Sequence, residues 1–258
     1  MKNLKAGTNG AVWTLAGVAA LLLGWELAAR IYGAGLILPG PVPVLVNLAA
    51  LAQTPRFHSA LLHSFFRVLG GGIALAAPLG VVAGIAAGLD RRARAFLSPL
   101  FSAVSAVPVI SVILIAFLLL GAGRTPVFTA FLMIFPVMSA NTIEGINSAD
   151  PKLKELFAAF RMSRAETLKY LYLPSIMPFV IGGLRSSLSL CWKVVAAAEV
   201  MVQPLRSLGA GMQQARAHLN TGELFAWTAA TVCAAAVCQG ILSLALKLCR
   251  LRGKGSAL

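Results

Sequence analysis

Six stretches of this chain are long, apolar and almost free of charge, and they constrain its fold more than any other feature. They are residues 6–25, 68–89, 95–121, 125–143, 174–202 and 224–246. Because an α-helix rises about 1.5 Å per residue, about 20 such residues span the hydrocarbon core of a bilayer. The chain is 59% hydrophobic, more than a soluble core of this length needs. The sequence therefore predicts an all-α membrane protein with six transmembrane helices.

The 22 Lys and Arg residues are unevenly distributed about these six spans. One side carries Lys2, Lys5, Arg91, Arg92, Arg94, Lys152, Lys154, Arg161, Arg164, Lys169, Lys247, Arg250, Arg252 and Lys254. The other side carries Arg56, Arg124, Arg206 and Arg216. Positively charged loops remain cytoplasmic in multi-pass proteins, so the richer side and both termini are expected in the cytoplasm. The same distribution explains the net charge of +14 without a nucleic-acid partner.

The spans divide the chain into four segments. Residues 1–33 are the predicted first transmembrane helix, with Trp25 and Tyr32 as interfacial anchors. Residues 34–60 begin rich in proline and predict an external loop with a short interfacial helix. Residues 61–250 are the predicted core domain, with a cytoplasmic loop at 150–173, and residues 251–258 are a basic cytoplasmic tail.

Small residues and prolines mark special positions in the second and third spans. Gly80, Gly84 and Gly88 form two overlapping G-x-x-x-G steps, which predict a face that packs closely on another helix. Pro108 interrupts the third span, where it either forms a packed kink or lines a solute path. The GAGRTP sequence at 121–126 predicts a tight external turn.

A charged amphipathic segment at residues 150–178 separates the fourth and fifth spans. Asp150 is followed by proline, a pattern typical of a helix N-terminus. One face of this helix carries Leu153, Leu156, Phe157 and Phe160. Ser163 and Glu166 have the spacing of a capping box, which starts a second short helix that is expected to end at Pro174.

The fifth span contains three ionisable residues, Arg185, Lys193 and Glu199. A charge at membrane depth costs at least about 2.5–3.5 kcal/mol on insertion scales, so each must face protein or water and find a partner. Two interpretations remain open. Neighbouring helices satisfy Lys193 and Glu199 and so hold the bundle together, or these residues line the solute path.

The segment at residues 150–174 resembles the cytoplasmic coupling loop of ATP-binding cassette (ABC) importer permeases, whose pattern is E-A-A-x₃-G-x₉-I-x-L-P. The positions that match this pattern are Glu155, Leu156, Phe157, Arg161, Leu171, Leu173 and Pro174. The predicted ATPase-coupling loop also includes Ala158, Ala159, Phe160 and Ser163. Arg161 stands where the family has glycine, and a left-handed turn costs a residue with a Cβ roughly 1 kcal/mol or more. The turn is therefore expected either to be built differently or to be carried in part by Met162.

Two further segments are similar to the nitrate, sulfonate and taurine group of these permeases. They are residues 106–123 and residues 183–200, where Gly183, Arg185, Trp192 and Glu199 match a G-x-R stretch followed by tryptophan and glutamate. The resemblance implies a six-helix permease bundle in the bacterial inner membrane. It also implies a second permease copy, two cytoplasmic ATPase subunits and an external solute-binding protein as partners.

The resemblance further implies that ATP and Mg²⁺ bind the partner ATPase and that this chain binds no cofactor. No G-x-x-x-x-G-K-[ST] loop occurs in the sequence, so we expect no ATP hydrolysis by this chain. No metal-ligand spacing occurs among its four cysteines, so no metal site is predicted. The expected solute is an anion such as a sulfonate, taurine or nitrate, although a neutral vitamin precursor also fits. A secondary transporter or channel working without ATPases is the alternative, and an intramembrane enzyme is a weaker third.

Overall fold

The computed structural model describes residues 2–31 and 37–255, with side chains placed for 12–31 and 37–248. The described ranges contain helices and no strand, as expected of an all-α protein. The helices are α1 (Lys2–Ile31), α2 (Pro41–Ala52), α3 (Pro55–Arg67), α4 (Ala76–Leu89), α5 (Arg91–Ala106), α6 (Val109–Asn147), α7 (Pro151–Ala159), α8 (Arg164–Thr167), α9 (Leu173–Val202), α10 (Leu208–Ala217) and α11 (Thr221–Gly255). Tyr32 and the last three residues of the predicted tail, 256–258, lie outside the described residues.

The helices form two compact units. The first unit comprises Met1–His58 and Gly211–Ala230, and the second comprises Ser59–Ala210 and Thr231–Leu258. Within the first unit, the indole N–H of Trp25 donates a hydrogen bond of 3.1 Å to the carbonyl of Pro39. The ring of Trp25 also lies 6.2 Å from that of Phe225. These contacts tie the end of α1 both to the segment that precedes α2 and to α11.

Close packing of α4 on α6 organises the second unit. An added Cβ would lie 2.6 Å from Met138 Cβ at Gly80, 2.5 Å from Thr142 Cβ at Gly84 and 2.4 Å from Ile146 Cδ1 at Gly88. The absence of side chains on this glycine face allows the two backbones to approach, and the Ser139 hydroxyl bonds the Gly80 carbonyl at 3.0 Å. Since the contact positions increase together along both helices, α4 and the second part of α6 run parallel.

This parallel arrangement determines the path of the chain between α4 and α6. Residues 122–147 rise about 39 Å along the helix axis. Because this segment runs parallel to α4, the chain must first travel back from the end of α4 to the level of its start, over a similar distance. Residues 91–121 therefore cross the unit in the opposite direction.

The third predicted span, residues 95–121, is divided into two helical pieces, so the interruption predicted at Pro108 is a break in the helix. Val107 has extended backbone angles (φ −73°, ψ 131°), as expected for the residue before Pro108. Pro108 lacks an N–H and caps the start of α6. Five described helices are long and apolar enough to cross a membrane, because α6 continues past a break at Gly121 and so includes both the second piece of the third predicted span and the whole of the fourth.

The predicted turn at residues 121–126 is a break at one residue. Gly121 has φ 73° and ψ 171°, a conformation open chiefly to glycine, and the helix resumes directly after it. The Thr125 hydroxyl donates to the Gly121 carbonyl at 2.8 Å, and Thr125 is already buried. The predicted turn is therefore present but is confined to Gly121, and the Thr125 hydroxyl satisfies the carbonyl that the break exposes.

Two other helix ends differ from the sequence prediction. The second span begins at Pro55 rather than Val68, since α3 runs through a π-helical segment, Val68–Leu75, into α4. The charge of Arg67 conceals this continuity in the sequence. Likewise, Pro174 does not end the helix that starts at Arg164. A π-helical segment, Leu168–Tyr172, precedes it, and its wide turn accommodates the missing N–H of the proline.

Helices α6 and α9 form the most extensive contact of the second unit, and they run antiparallel. A Cβ added at Gly145 would lie 2.8 Å from Ile176 Cα, and one added at Gly183 would lie 3.0 Å from Asn141 Cβ. These glycines bring the two ends of the loop between α6 and α9 close together. The loop that contains α7 and α8 is thus anchored on both sides by tightly packed helices.

Candidate functional site

The loop between α6 and α9 begins with a fully capped helix. The Asp150 carboxylate accepts a hydrogen bond of 2.9 Å from the backbone N–H of Lys152, and Pro151 occupies the first helical position. The predicted helix start is confirmed. Because a proline there has no N–H to leave unsatisfied, α7 starts at a defined residue.

Most side chains of α7 are exposed in the described part of the chain. None of its residues is buried, and exposure is 44% for Leu153 and 48% for Leu156. Phe160, directly after α7, is 73% exposed, while Phe157 is half-buried. Glu155, Ala158 and Ala159 are also exposed. A helix of nine residues is marginal alone, so an uncovered apolar face of this kind favours burial against a partner.

Arg161 itself carries the left-handed turn that ends α7. Its φ is 51°, and its N–H bonds the Ala158 carbonyl at 3.0 Å. The N–H of Met162 bonds the Phe157 carbonyl at 3.1 Å. These two bonds form a Schellman motif with Arg161 at the position usually taken by glycine. The turn therefore keeps the geometry that glycine favours, at a conformational cost of about 1 kcal/mol.

The second half of the loop has the predicted capping box. The Glu166 carboxylate accepts bonds from the N–H of Ser163 at 2.8 Å and from its hydroxyl at 2.6 Å, while the N–H of Glu166 donates to the Ser163 hydroxyl at 3.3 Å. Leu171 is buried, whereas Leu173 and Pro174 are exposed. Leu171 therefore anchors this half of the loop in the helix bundle.

Glu199 lies at the other end of α9, in a buried polar cluster. Its side chain is fully buried, and its Oε1 accepts a bond of 2.8 Å from Nη1 of Arg67. The Ser64 hydroxyl lies 2.8 Å from both carboxylate oxygens, and the N–H of Gly209 lies 3.2 Å from Oε2. Ser64 also accepts a bond of 3.0 Å from the N–H of Leu208. Arg67, Ser64 and Gly209 all donate to the carboxylate, which is the arrangement that an ionised Glu199 requires.

The cluster also holds the connection between α9 and α10. The guanidinium of Arg67 donates to the carbonyls of Leu205 at 3.3 Å and Arg206 at 3.4 Å. Gln203 and Arg206 both have positive φ, at 46° and 57°. Each of these conformations is unfavourable for a residue with a Cβ, so the hydrogen bonds of the cluster stabilise a strained connection.

The other residues proposed for the solute path differ in their burial. Trp192 is buried like Glu199, whereas Pro108, Arg185 and Lys193 are exposed. Sequence reasoning did not identify Ser64 and Arg67 as partners of Glu199. Arg67 directly precedes the uncharged run 68–89. A charge at the boundary of an apolar run is the sequence signal that could have identified Arg67 as a partner.

The chain is similar to proteins of known type. Residues 76–249 match the family model described as binding-protein-dependent transport system inner membrane component. A probable ABC transporter permease of Brucella melitensis biotype 1 is 30% identical over 206 residues, which cover 78% of this chain and 81% of that protein. The taurine transport system permease protein of Escherichia coli K12 is 28% identical over 214 residues, which cover 80% and 76%. A crystal structure of an amino acid ABC transporter with histidines has a TM-score of 0.60 at 18% identity, covers 80% of this chain and 97% of its own, and shares the fold.

Proposed function

Because the chain belongs to the family of binding-protein-dependent transport system inner membrane components, we propose that it is the membrane-crossing subunit of an ATP-driven importer. It is a multi-pass membrane protein and an ABC transport permease. In this proposal an external binding protein delivers a small solute, and separate ATPase subunits hydrolyse ATP. Cytoplasmic termini and a cytoplasmic α7 follow from the bias of basic residues to one side.

The uncovered apolar face of α7 is the observation that carries the proposal. Leu156 and Phe160 are 48% and 73% exposed although the helix that presents them is capped at both ends. A defined helix with an apolar face fits a groove on a partner protein, where its side chains act as anchors. Glu155 and Arg161 are then charges at the rim that set the orientation.

The expected energy of this docking follows from burial. Removing a largely exposed Phe or Leu side chain from water contributes about 1.5–3 kcal/mol. Replacing Phe160 by aspartate removes this term and adds the cost of desolvating a carboxylate. We therefore expect Phe160→Asp to weaken ATPase binding by about 10- to 100-fold, since each 1.4 kcal/mol is a factor of ten.

The test is co-purification of the ATPase with the permease from native membranes in mild detergent. Wild type is expected to retain an ATPase that carries a phosphate-binding loop, and Phe160→Asp and Phe157→Asp are expected to lose it. Phe160→Leu keeps an apolar anchor and serves as the matched control. If the aspartate variants retained the ATPase and full transport, the docking role of α7 would be refuted.

One face of α9 supports a solute path shared with a second permease copy. This face is formed by residues spaced about one or two helical turns apart, and all of them are exposed in the single chain: Gly182, Arg185, Ser186 and Lys193. Exposing two cations to lipid costs free energy, so we expect this face to contact protein or a water-filled passage. In our proposal two copies pair along it, and the closing ATPases tilt the helices around the passage.

The cations of this face favour a solute that carries an anionic group, as taurine, the solute named for one relative, carries a sulfonate. Arg185 and Lys193 lower the electrostatic barrier for a negative group at membrane depth. We expect Lys193→Gln to reduce uptake of an anionic solute more than uptake of a neutral one, measured in proteoliposomes with the ATPase and binding protein. Arg124→Gln, which lies outside α9 and is exposed, is the control. Unchanged charge preference in Lys193→Gln and Arg185→Gln would remove the cationic path from the proposal.

A further inference from the structure

A concave site lies where the second half of the loop between α6 and α9 faces the end of α4, and it does not include the apolar face of α7. It is a cavity of about 640 Å³ between the corner that joins α4 to α5 and the segment that follows α7. Its lining includes Leu89, Arg92, Arg164, Leu168 and Tyr172. The volume is within the usual range of ligand pockets.

The polar part of this cavity has a net positive charge, because two arginines and one carboxylate, that of Asp90, line it. Arg92 and Arg164 line it from opposite sides, and the ion pairs found among the described side chains involve neither of them. The ammonium group of Lys154 lies 5.9 Å from the ring centre of Tyr172, so a third cation approaches the same wall. Two guanidinium groups that face one cavity suit a phosphate group, which each can bind through paired N–H donors.

Among the described side chains, no ion pair joins an acidic group near the cavity to Arg92 or Arg164. Asp90 lines the wall, and its Oδ1 accepts a bond of 2.8 Å from the backbone N–H of Arg92. The Glu166 carboxylate is engaged by Ser163. Both carboxylates therefore serve as helix caps, and the guanidinium groups of the cavity remain available to a ligand.

The apolar part of the cavity meets the ends of two membrane spans. Leu89 is the last residue of the span Pro55–Leu89, and Leu168 lies near the start of the span Arg164–Val202. The cavity thus combines an apolar wall that continues into the membrane with cations at the membrane surface. Basic pockets between transmembrane helices bind the headgroups of anionic lipids.

We propose that this cavity binds the headgroup of an anionic phospholipid, with the phosphate between Arg92 and Arg164. The acyl chains extend along Leu89 and Leu168 into the bilayer. The bound headgroup connects the α4–α5 corner to the start of the α8–α9 helix, next to the loop that α7 occupies. This site goes beyond the importer function and does not depend on it.

The test is native mass spectrometry of the purified permease in detergent with added phosphatidylglycerol or phosphatidylcholine. We expect wild type to retain phosphatidylglycerol preferentially. The double variant Arg92→Gln/Arg164→Gln is expected to lose the preference, by about tenfold for each guanidinium removed. Arg91→Gln, adjacent in sequence and outside the lining, is the matched control and is expected to retain lipid like wild type. Arg164→Gln alone gives an intermediate preference and keeps the test decisive if the double variant does not fold.

Three results would overturn the proposal. Equal phosphatidylglycerol retention by wild type and the double variant would show that the guanidinium groups do not bind the headgroup. Displacement of the lipid by inorganic phosphate at equal concentration would identify a site for free phosphate instead. Unchanged lipid binding with loss of the ATPase in the double variant would assign the cavity to a protein surface.

Discussion

Removing the guanidinium of Arg67 while keeping the Glu199 carboxylate tests the buried cluster at the end of α9. Glu199 is fully buried, and Arg67 is the cation paired with it at 2.8 Å. In Arg67→Met the carboxylate keeps the donors of Ser64 and Gly209 but loses its counter-charge. Breaking one side of a buried ion pair typically costs about 3–5 kcal/mol. For a chain of this size, that corresponds to a fall in Tm of about 10 °C.

The more specific expectation is a rescue. Adding Glu199→Gln to Arg67→Met removes the charge that the first change left uncompensated, and the amide oxygen still accepts from Ser64 or Gly209. The double variant is therefore expected to be more stable than Arg67→Met alone. If the contact between Arg67 and Glu199 mattered only through packing, the two substitutions would instead give additive losses of stability.

Buried thiols provide the assay. Cys191 and Cys238 are buried, and Cys233 is exposed. In a background that carries Cys233→Ser and Cys249→Ser, a thiol-reactive fluorogenic maleimide reports unfolding of the bundle during heating in detergent. Arg124→Met, at an exposed arginine, is the control and should leave Tm unchanged. A loss below 1 °C in Arg67→Met, or a double variant no more stable than that single variant, would refute the reasoning.

Two further predictions concern glycine geometry. Arg161→Gly should stabilise the end of α7 by about 1 kcal/mol because glycine adopts the left-handed turn without strain. Hydrogen exchange at the Met162 amide should therefore slow about fivefold. Faster exchange would contradict this prediction. Gly84→Ala should lower Tm because the added Cβ would lie 2.5 Å from Thr142 Cβ. The control Gly24→Ala should not lower Tm, since an added Cβ has nothing within 4 Å of it. Equal Tm values for the two variants would argue against close packing at Gly84.

The loop between α6 and α9 was largely predictable because its signals are local. An N-cap followed by proline and an S-x-x-E capping box act within one helical turn, so the sequence alone indicates where α7 and α8 begin. Its termination was less clear, since the sequence shows only that arginine replaces glycine. The backbone of the folded loop decides that Arg161 itself takes the left-handed conformation, at φ 51°.

The transmembrane segments show where pattern reasoning ends. Uncharged runs locate the hydrocarbon crossings because charge is costly in lipid, and the all-α class follows from that cost. The same criterion placed the second span too late, because Arg67 is charged and yet belongs to a helix that begins at Pro55. A charge that is compensated by a distant partner cannot be distinguished from a solvated one by composition.

The sequence by itself therefore determined the class of the protein, the approximate positions of its apolar helices and the local caps of the loop, since each depends on residues close together in the chain. Tertiary structure alone decided which charges are paired. Ser64 and Arg67 are more than 130 residues from Glu199, at separations of 135 and 132. Only the antiparallel and parallel packing of the helices brings them within 3 Å, because hydrogen bonding depends on distance in space and not on position in sequence.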